Sequence, residues 1–162
     1  MTTNLEHDIK GDSKMIDAKD VAISDSEWEV MRAIWTLKHV TSRQLIDVMS
    51  SARGWSESTT KTLLHRLITK DAVVRVGDGR PFEYEPAVDE RDSMGAAAVN
   101  LFDHMCAMRA GDTLVKVINS RDLSQSDIKK LQTVLAEKAK AAPEMVDCNC
   151  LPQEMMSGDG CQ

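Results

Sequence analysis

The sequence predicts a mainly α protein that carries one small antiparallel β-hairpin, and three observations support this. Apolar residues recur every three or four positions through successive stretches of the chain, the period of helices with one buried face. Val73-Val74-Arg75-Val76 and Phe82-Glu83-Tyr84-Glu85 are β-rich and flank Gly77-Asp78-Gly79-Arg80-Pro81, whose Asp-Gly step favours a hairpin turn. Ser24, Thr41, Ser56 and Ser124 each stand just before a helical stretch, where a hydroxyl can cap the free N–H groups of the first turn.

Residues 1–22 are polar and patternless, as expected of a flexible arm. Ser24-Asp25-Ser26-Glu27 is a capping box with Ile23 placed to staple it, and Trp28, Met31, Ile34 and Trp35 follow at helical spacing. A first helix is therefore expected over Asp25 to Leu37. Thr41 caps a second that carries Leu45, Ile46 and Met49 and ends before Gly54. Ser56 caps the third, within WSESTTKTLLHRLITK from Trp55 to Lys70. At about 100° per residue, Leu63, Leu64, Leu67 and Ile68 form one stripe. Ser58, Thr62, His65, Arg66 and Thr69 project from the opposite side, flanked by Thr59 and Lys61. Short hydroxyls and basic groups suit contact with phosphates and base edges, although an ordinary amphipathic surface helix has the same pattern. Three short helices followed by a hairpin make a winged helix-turn-helix pattern. In it Arg80, near the hairpin tip, would reach a phosphate or the minor groove; the alternative is a solvated surface hairpin.

A helical pattern resumes from Asp92 to Met108, with Ala97, Leu101, Met105 and Met108 on one face, and a break is expected at Gly111. Leu114, Val115, Val117 and Ile118 follow, then a capping box at Ser124 to Asp127 and Ile128, Leu131 and Leu135. One chain offers too few partners to cover these faces, so a homodimer is the natural solution; folding back on the first domain is the alternative. Pro143 ends the helical part. The expected organisation is a flexible arm (1–22), a winged-helix domain (23–92), a helical dimerisation region (93–142) and a cysteine-bearing tail (143–162).

With 162 residues, 42% hydrophobic and 28% charged, the composition is that of a soluble globular protein. No apolar run approaches the roughly 20 residues of a membrane span, so no membrane partner is expected. The first twenty residues lack the apolar stretch of a secretory signal, which points to a cytoplasmic protein. The net charge of −6 argues at first against a polyanionic partner. Its distribution softens this, because residues 53–80 hold six basic against three acidic side chains and the acidic excess lies elsewhere. His7, His39, His65 and His104 are scattered and the thiols sit on a tail that cannot preorganise a cleft, so no enzyme is expected. Of the four cysteines, Cys148, Cys150 and Cys161 crowd the tail, and in a reducing compartment clustered thiols suit metal ligation or redox sensing. Cys106 is expected to be a small buried apolar residue at the dimer interface, with His104 facing water.

ISDSEWEVMRAIW from Ile23, TSRQLIDVM from Thr41, WSESTTKTLLHRLITKDAVVRV from Trp55 and GRPFEYEPAVDE from Gly79 resemble, in that order, the BlaI/MecI family of winged-helix repressors. Within it the chain is most similar to the copper-responsive CopY type. Residues 93–140 look like the family's helical dimerisation region. The resemblance implies a cytoplasmic homodimer on a palindromic double-stranded DNA operator. The Ser56 to Lys70 helix would lie in the major groove, giving Ser58, Thr59, Lys61, Thr62, His65, Arg66 and Arg80 as DNA contacts.

Copper-sensing members are similar in carrying two Cys-x-Cys pairs. Cys148-Asn149-Cys150 matches the first, whereas only Cys161 stands for the second, after a longer spacer holding Met155 and Met156. The implied metal ligands are Cys148, Cys150 and Cys161, with Zn(II) in the repressing form, Cu(I) as inducer and a copper chaperone among the partners. Three thiolates satisfy a trigonal Cu(I); tetrahedral Zn(II) needs a fourth ligand. The nearest rival is a β-lactam-responsive repressor inactivated by proteolysis in the first dimerisation helix, where Asn100-Leu101-Phe102 interrupts the family's Asn-Phe step. A thiol metal-buffering or redox protein is the other.

Overall fold

A computed structural model of the chain describes Asp17, Ala18, residues 21–152 and Met155. These residues divide into two compact units, one ending at Ala97 and one beginning at Ala98. The arm expected over 1–22 lies almost wholly outside the described residues, as does Cys161.

The first unit is a winged helix-turn-helix. Helix α1 (Asp25–Leu37) has the expected bounds, and the Ser24 backbone N–H donates to Glu27 Oε2 at 2.9 Å in its capping box. Strand β1 (Val40–Thr41) leads straight into α2 (Ser42–Arg53). Thr41 ends the strand and caps the helix, its Oγ1 accepting from Gln44 N–H at 3.3 Å. Gly54 closes α2 with φ +67°, a left-handed conformation in which any Cβ is strained. Helix α3 (Glu57–Thr69) starts at Ser56, whose hydroxyl accepts from Thr59 N–H at 3.2 Å. Strands β2 (Val73–Val76) and β3 (Glu83–Pro86) form the wing, pairing from Val73 with Pro86 to Val76 with Glu83.

The hairpin expected from sequence gains a third strand. β1 pairs antiparallel with β3, Val40 opposite Tyr84, in the order β1-β3-β2. Two residues are too few to show strand alternation, so only their pairing reveals them.

The core lies where the helices meet the sheet. Val30, Met31, Ile34, Leu45 and Leu67 are completely buried, with Leu63, Leu64 and Val73 against them. The Trp35 indole N–H donates to the Val88 carbonyl at 2.9 Å, fixing the chain that leaves the wing against α1. A partly buried ion pair ties the ends of the recognition fold together. Lys70, just beyond α3, donates to Glu27 Oε2 at 2.6 Å and to the Ala22 carbonyl at 2.7 Å.

Helix α4 (Glu90–Asp103) starts earlier than expected, because the Asp89 carboxylate accepts from Arg91 and Asp92 N–H at 2.8 and 3.0 Å. In the second unit, α5 (Ala110–Asn119) and α6 (Gln125–Ala139) follow. The break expected at Gly111 is displaced: Gly111 lies inside α5, and the chain turns at His104 to Cys106 before a 3-10 turn over Ala107–Arg109. A distant contact meets that turn. The Ala107 N–H at the start of that turn is capped by the Asn149 side-chain oxygen at 2.8 Å. The Ser124 to Asp127 box of α6 forms as expected. Among the described residues from Ala98 onward, none is buried.

Candidate nucleic-acid interface and thiol cluster

The outward face of α3 is decided by which of its residues the core consumes. Thr60, Leu63, Leu64 and Leu67 are buried, so Ser58, Thr59, Lys61, Thr62, His65 and Arg66 are left exposed, as the sequence pattern predicted. The Thr62 hydroxyl donates to the Ser58 carbonyl at 2.9 Å and the Thr69 hydroxyl to the His65 carbonyl at 2.9 Å. Each then offers lone pairs outward and must rotate to donate, so in this state they suit amino groups on base edges better than phosphates. Lys61 pairs with Glu57 at 2.6 Å. The hydrogen bond from Lys61, followed by its charge, holds the Glu57 carboxyl below the ordinary range. Arg66 forms no ion pair among the described residues, so its charge is the less committed of the two.

The wing has its own basic tip. Phe82 carries the Arg75 guanidinium 4.2 Å from its ring centroid and the Arg80 guanidinium 5.6 Å from it. Arg80 is exposed in the β2–β3 connection, as predicted. Arg75 was not singled out from sequence. Its signal was the lone charge on the outward side of an otherwise apolar strand, and stacking on Phe82 adds a second cation with its guanidinium edge free. Lys70 drops out of the basic set, because its ammonium is committed to Glu27. Burial pushes the Glu27 carboxyl upward, but the hydrogen bonds from Lys70 and Ser24 together outweigh it and hold the group below its ordinary value.

Penicillinase repressor is the family whose model matches, over residues 23–137. The chain belongs to the penicillinase repressor family. An uncharacterised 16.5 kDa protein of the ptsI 3′ region in Latilactobacillus sakei is 46% identical to this repressor over 132 residues, covering 82% of this chain and 90% of that protein. The methicillin resistance regulatory protein MecI of Mammaliicoccus sciuri is 31% identical over 123 residues, 76% of this chain and 100% of MecI. The solution structure of the DNA-binding domain of the repressor BlaI superposes with a TM-score of 0.42 at 40% identity, covering 45% of this chain and 89% of that one. The repressor is thus a DNA-binding transcriptional regulator of the BlaI/MecI type, not an enzyme.

In the second unit of the repressor, thiols from separate segments converge. The sulfurs of Cys106, Cys148 and Cys150 all lie within 4.8 Å of one another. Cys106 Sγ is 3.6 Å from Cys148 Sγ, and the Cys150 backbone N–H donates to Cys148 Sγ at 3.5 Å. Cys148 and Cys150 are therefore together as predicted, while Cys161 lies outside the described residues. Cys106, expected to be a small buried apolar residue at the dimer interface, is half-buried in the single chain, where the turn after α4 brings its sulfur to the tail. His104 is exposed, as expected. No local feature marked Cys106, since Cys148, the nearer in sequence of its two cluster neighbours, is 42 residues away.

Proposed function

We propose that this repressor is copper-responsive: a homodimer that holds a palindromic operator while its tail thiolates carry Zn(II) and leaves it when Cu(I) takes their place. The observation that carries the metal half is the adjacency of the Cys148 and Cys150 sulfurs within a three-thiol cluster. A metal–sulfur bond of about 2.3 Å puts two sulfurs about 3.8 Å apart on a tetrahedral ion and about 4.0 Å apart on a trigonal one. A cluster with all sulfurs within 4.8 Å, and one pair at 3.6 Å, fits either with small adjustments. Cys148 and Cys150 would hold the ion, with a third thiolate completing the set; Cys161, expected in that place from sequence, lies outside the described residues. When bound, it supplies a cross-link whose preferred geometry changes with the metal, and only such a difference can shift the protein between DNA-competent and incompetent states.

The DNA half rests on α3 and the wing. Ser58, Thr59, Lys61, Thr62, His65 and Arg66 would face the major groove and Arg80, joined by Arg75, the adjoining backbone or minor groove. Two copies related by a twofold axis would set their α3 helices about 34 Å apart, one DNA turn. The apolar residues that α5 and α6 leave exposed, Leu114, Val117, Ile118, Leu131 and Leu135, support the dimer. A copper chaperone would deliver Cu(I) to a protein of the cytoplasm.

A second function has support in the relatives, one of which is named for methicillin resistance: a β-lactam-responsive repressor cut in α4 near Asn100-Leu101-Phe102. One titration separates the two. Duplexes selected from a random-sequence pool by the full-length protein are followed by fluorescence anisotropy as Zn(II), then Cu(I), is added to wild type and to a chain truncated after Pro143. Release of wild type by Cu(I), with the truncated chain indifferent, supports copper sensing. Indifference of both excludes it and leaves proteolysis.

A further inference from the structure

We propose that Cys106 is a metal ligand: with Cys148 and Cys150 it forms a three-thiolate Cu(I) site that staples the tail to the turn between α4 and α5. This site presupposes the metal-responsive function above and adds to it a residue, a coordination geometry and a mechanical consequence.

Two independent observations meet at this turn. One is the sulfur geometry, with Cys106 and Cys148 at 3.6 Å and all three sulfurs within 4.8 Å. The other is a polar contact that has nothing to do with sulfur: Asn149, between the two tail cysteines, caps the Ala107 N–H at 2.8 Å. The tail is thus docked by its own amide, and the docking presents Cys148 to Cys106 on the helical unit. A pair of thiols on an undocked tail would leave a soft ion two-coordinate or dependent on a second chain. With Cys106 the set reaches three among the described residues, the number a trigonal Cu(I) accepts, whereas Zn(II) requires a fourth.

The consequence lies in the helices. On binding, the three thiols release their protons to solvent and form bonds to the one ion, so occupancy tightens the tail against Cys106 and the adjoining cap. Because Cys106 and Ala107 open the turn into α5, metal binding stiffens the start of that helix directly. This gives tail occupancy a route to the helical unit that the tail cysteines alone lack.

The test uses the full-length, reduced chain under anaerobic conditions, with Cu(I) supplied as its bicinchoninate complex. Cysteines are alkylated with iodoacetamide before and after Cu(I) addition and located by mass spectrometry. Cu(I) is expected to protect Cys106 together with Cys148 and Cys150, and X-ray absorption is expected to count about three sulfurs per Cu(I). Cys106→Ser is expected to lower Cu(I) affinity by at least the roughly tenfold that even outer-shell losses cost, and to remove one sulfur from the count. Alkylation of Cys106 at the same rate with and without Cu(I) overturns the assignment, as does protection of Cys161 in its place. These results need no variant, so a misfolded substitution cannot obscure them. Failure of the wider function is read separately: it is seen when Cu(I) fills the protected thiols yet operator binding does not change.

Discussion

Glu27 and Lys70 show how a residue's neighbours decide whether its charge serves the fold or the function. By composition Lys70 belongs to the basic window around α3, yet its ammonium is bound to a carboxylate that is only 2% exposed. Glu27→Gln is expected to cost about 1–3 kcal/mol at neutral pH, since the buried carboxylate's charged bond is lost while the partly exposed Lys70 regains some hydration. The carboxyl is held below its ordinary 4.5, so its contribution is complete above that value and is lost as pH falls through the lower folded value. Urea unfolding at pH 7 and again near pH 3 should therefore show the gap between wild type and variant closing in acid; a gap of constant size would remove the ion pair from the account. Lys61 and Arg66 are the opposite case, exposed and aimed outward. Arg66→Ala is expected to weaken operator binding by about 1–3 kcal/mol, with relaxed sequence preference if it reads a base and an even loss across sequences if it meets phosphate. Lys61→Ala should cost less, because the free protein already pairs Lys61 with Glu57. Equal affinity in both variants, measured by anisotropy, would move the recognition surface off this face.

At the level of elements, short-range signals settle most boundaries. Thr41 makes a clear case: it ends β1, caps α2 and pairs with Gln44 in a capping box. Thr41→Ala is expected to lower stability by about 1 kcal/mol and Thr41→Ser to restore most of it, in thermal unfolding followed by circular dichroism. Failure of Ser to rescue would assign the loss to the strand rather than the cap. The same kind of signal made α1, α2, α3 and the wing readable from sequence, because a cap, a period and a turn residue all lie within a few positions of the element they define. β1 was unreadable, being too short to alternate. The turn between α4 and α5 was misplaced for a different reason. Gly111 is the residue that local propensity disfavours in a helix, by about 1 kcal/mol, yet it lies inside α5, and the tertiary cap from Asn149 falls on the 3-10 turn that precedes it. The outward-facing residues on α3 were legible for the same reason as the helix itself, whereas the place of Cys106 in the cluster depends on a contact that no local pattern encodes.

For the molecule as a whole, the two units differ in how far they satisfy themselves. The first encloses a core around Met31, Ile34, Leu45 and Leu67. The second, among its described residues, buries none, and Leu114, Val117, Ile118, Leu131 and Leu135 remain between 36% and 58% exposed. Apolar side chains left in water on this scale call for a covering surface, and a second copy of the same chain supplies one without requiring another gene product. Such an arrangement links assembly to DNA affinity. On the proposed reading a lone α3 would read one half-site, while two held about 34 Å apart would gain both half-sites for one loss of translational freedom. Leu131→Glu, set on the exposed face of α6, is therefore expected to convert the full-length protein from dimer to monomer in sedimentation equilibrium. It should leave the tryptophan fluorescence of the first unit unchanged, since Trp28, Trp35 and Trp55 all lie there, and should reduce operator affinity by about a hundredfold or more. The decisive comparison is a duplex carrying a single half-site. On it wild type and variant should bind alike, because neither can use its second arm; a variant that also fails on the half-site would show that the introduced carboxylate had damaged recognition rather than assembly.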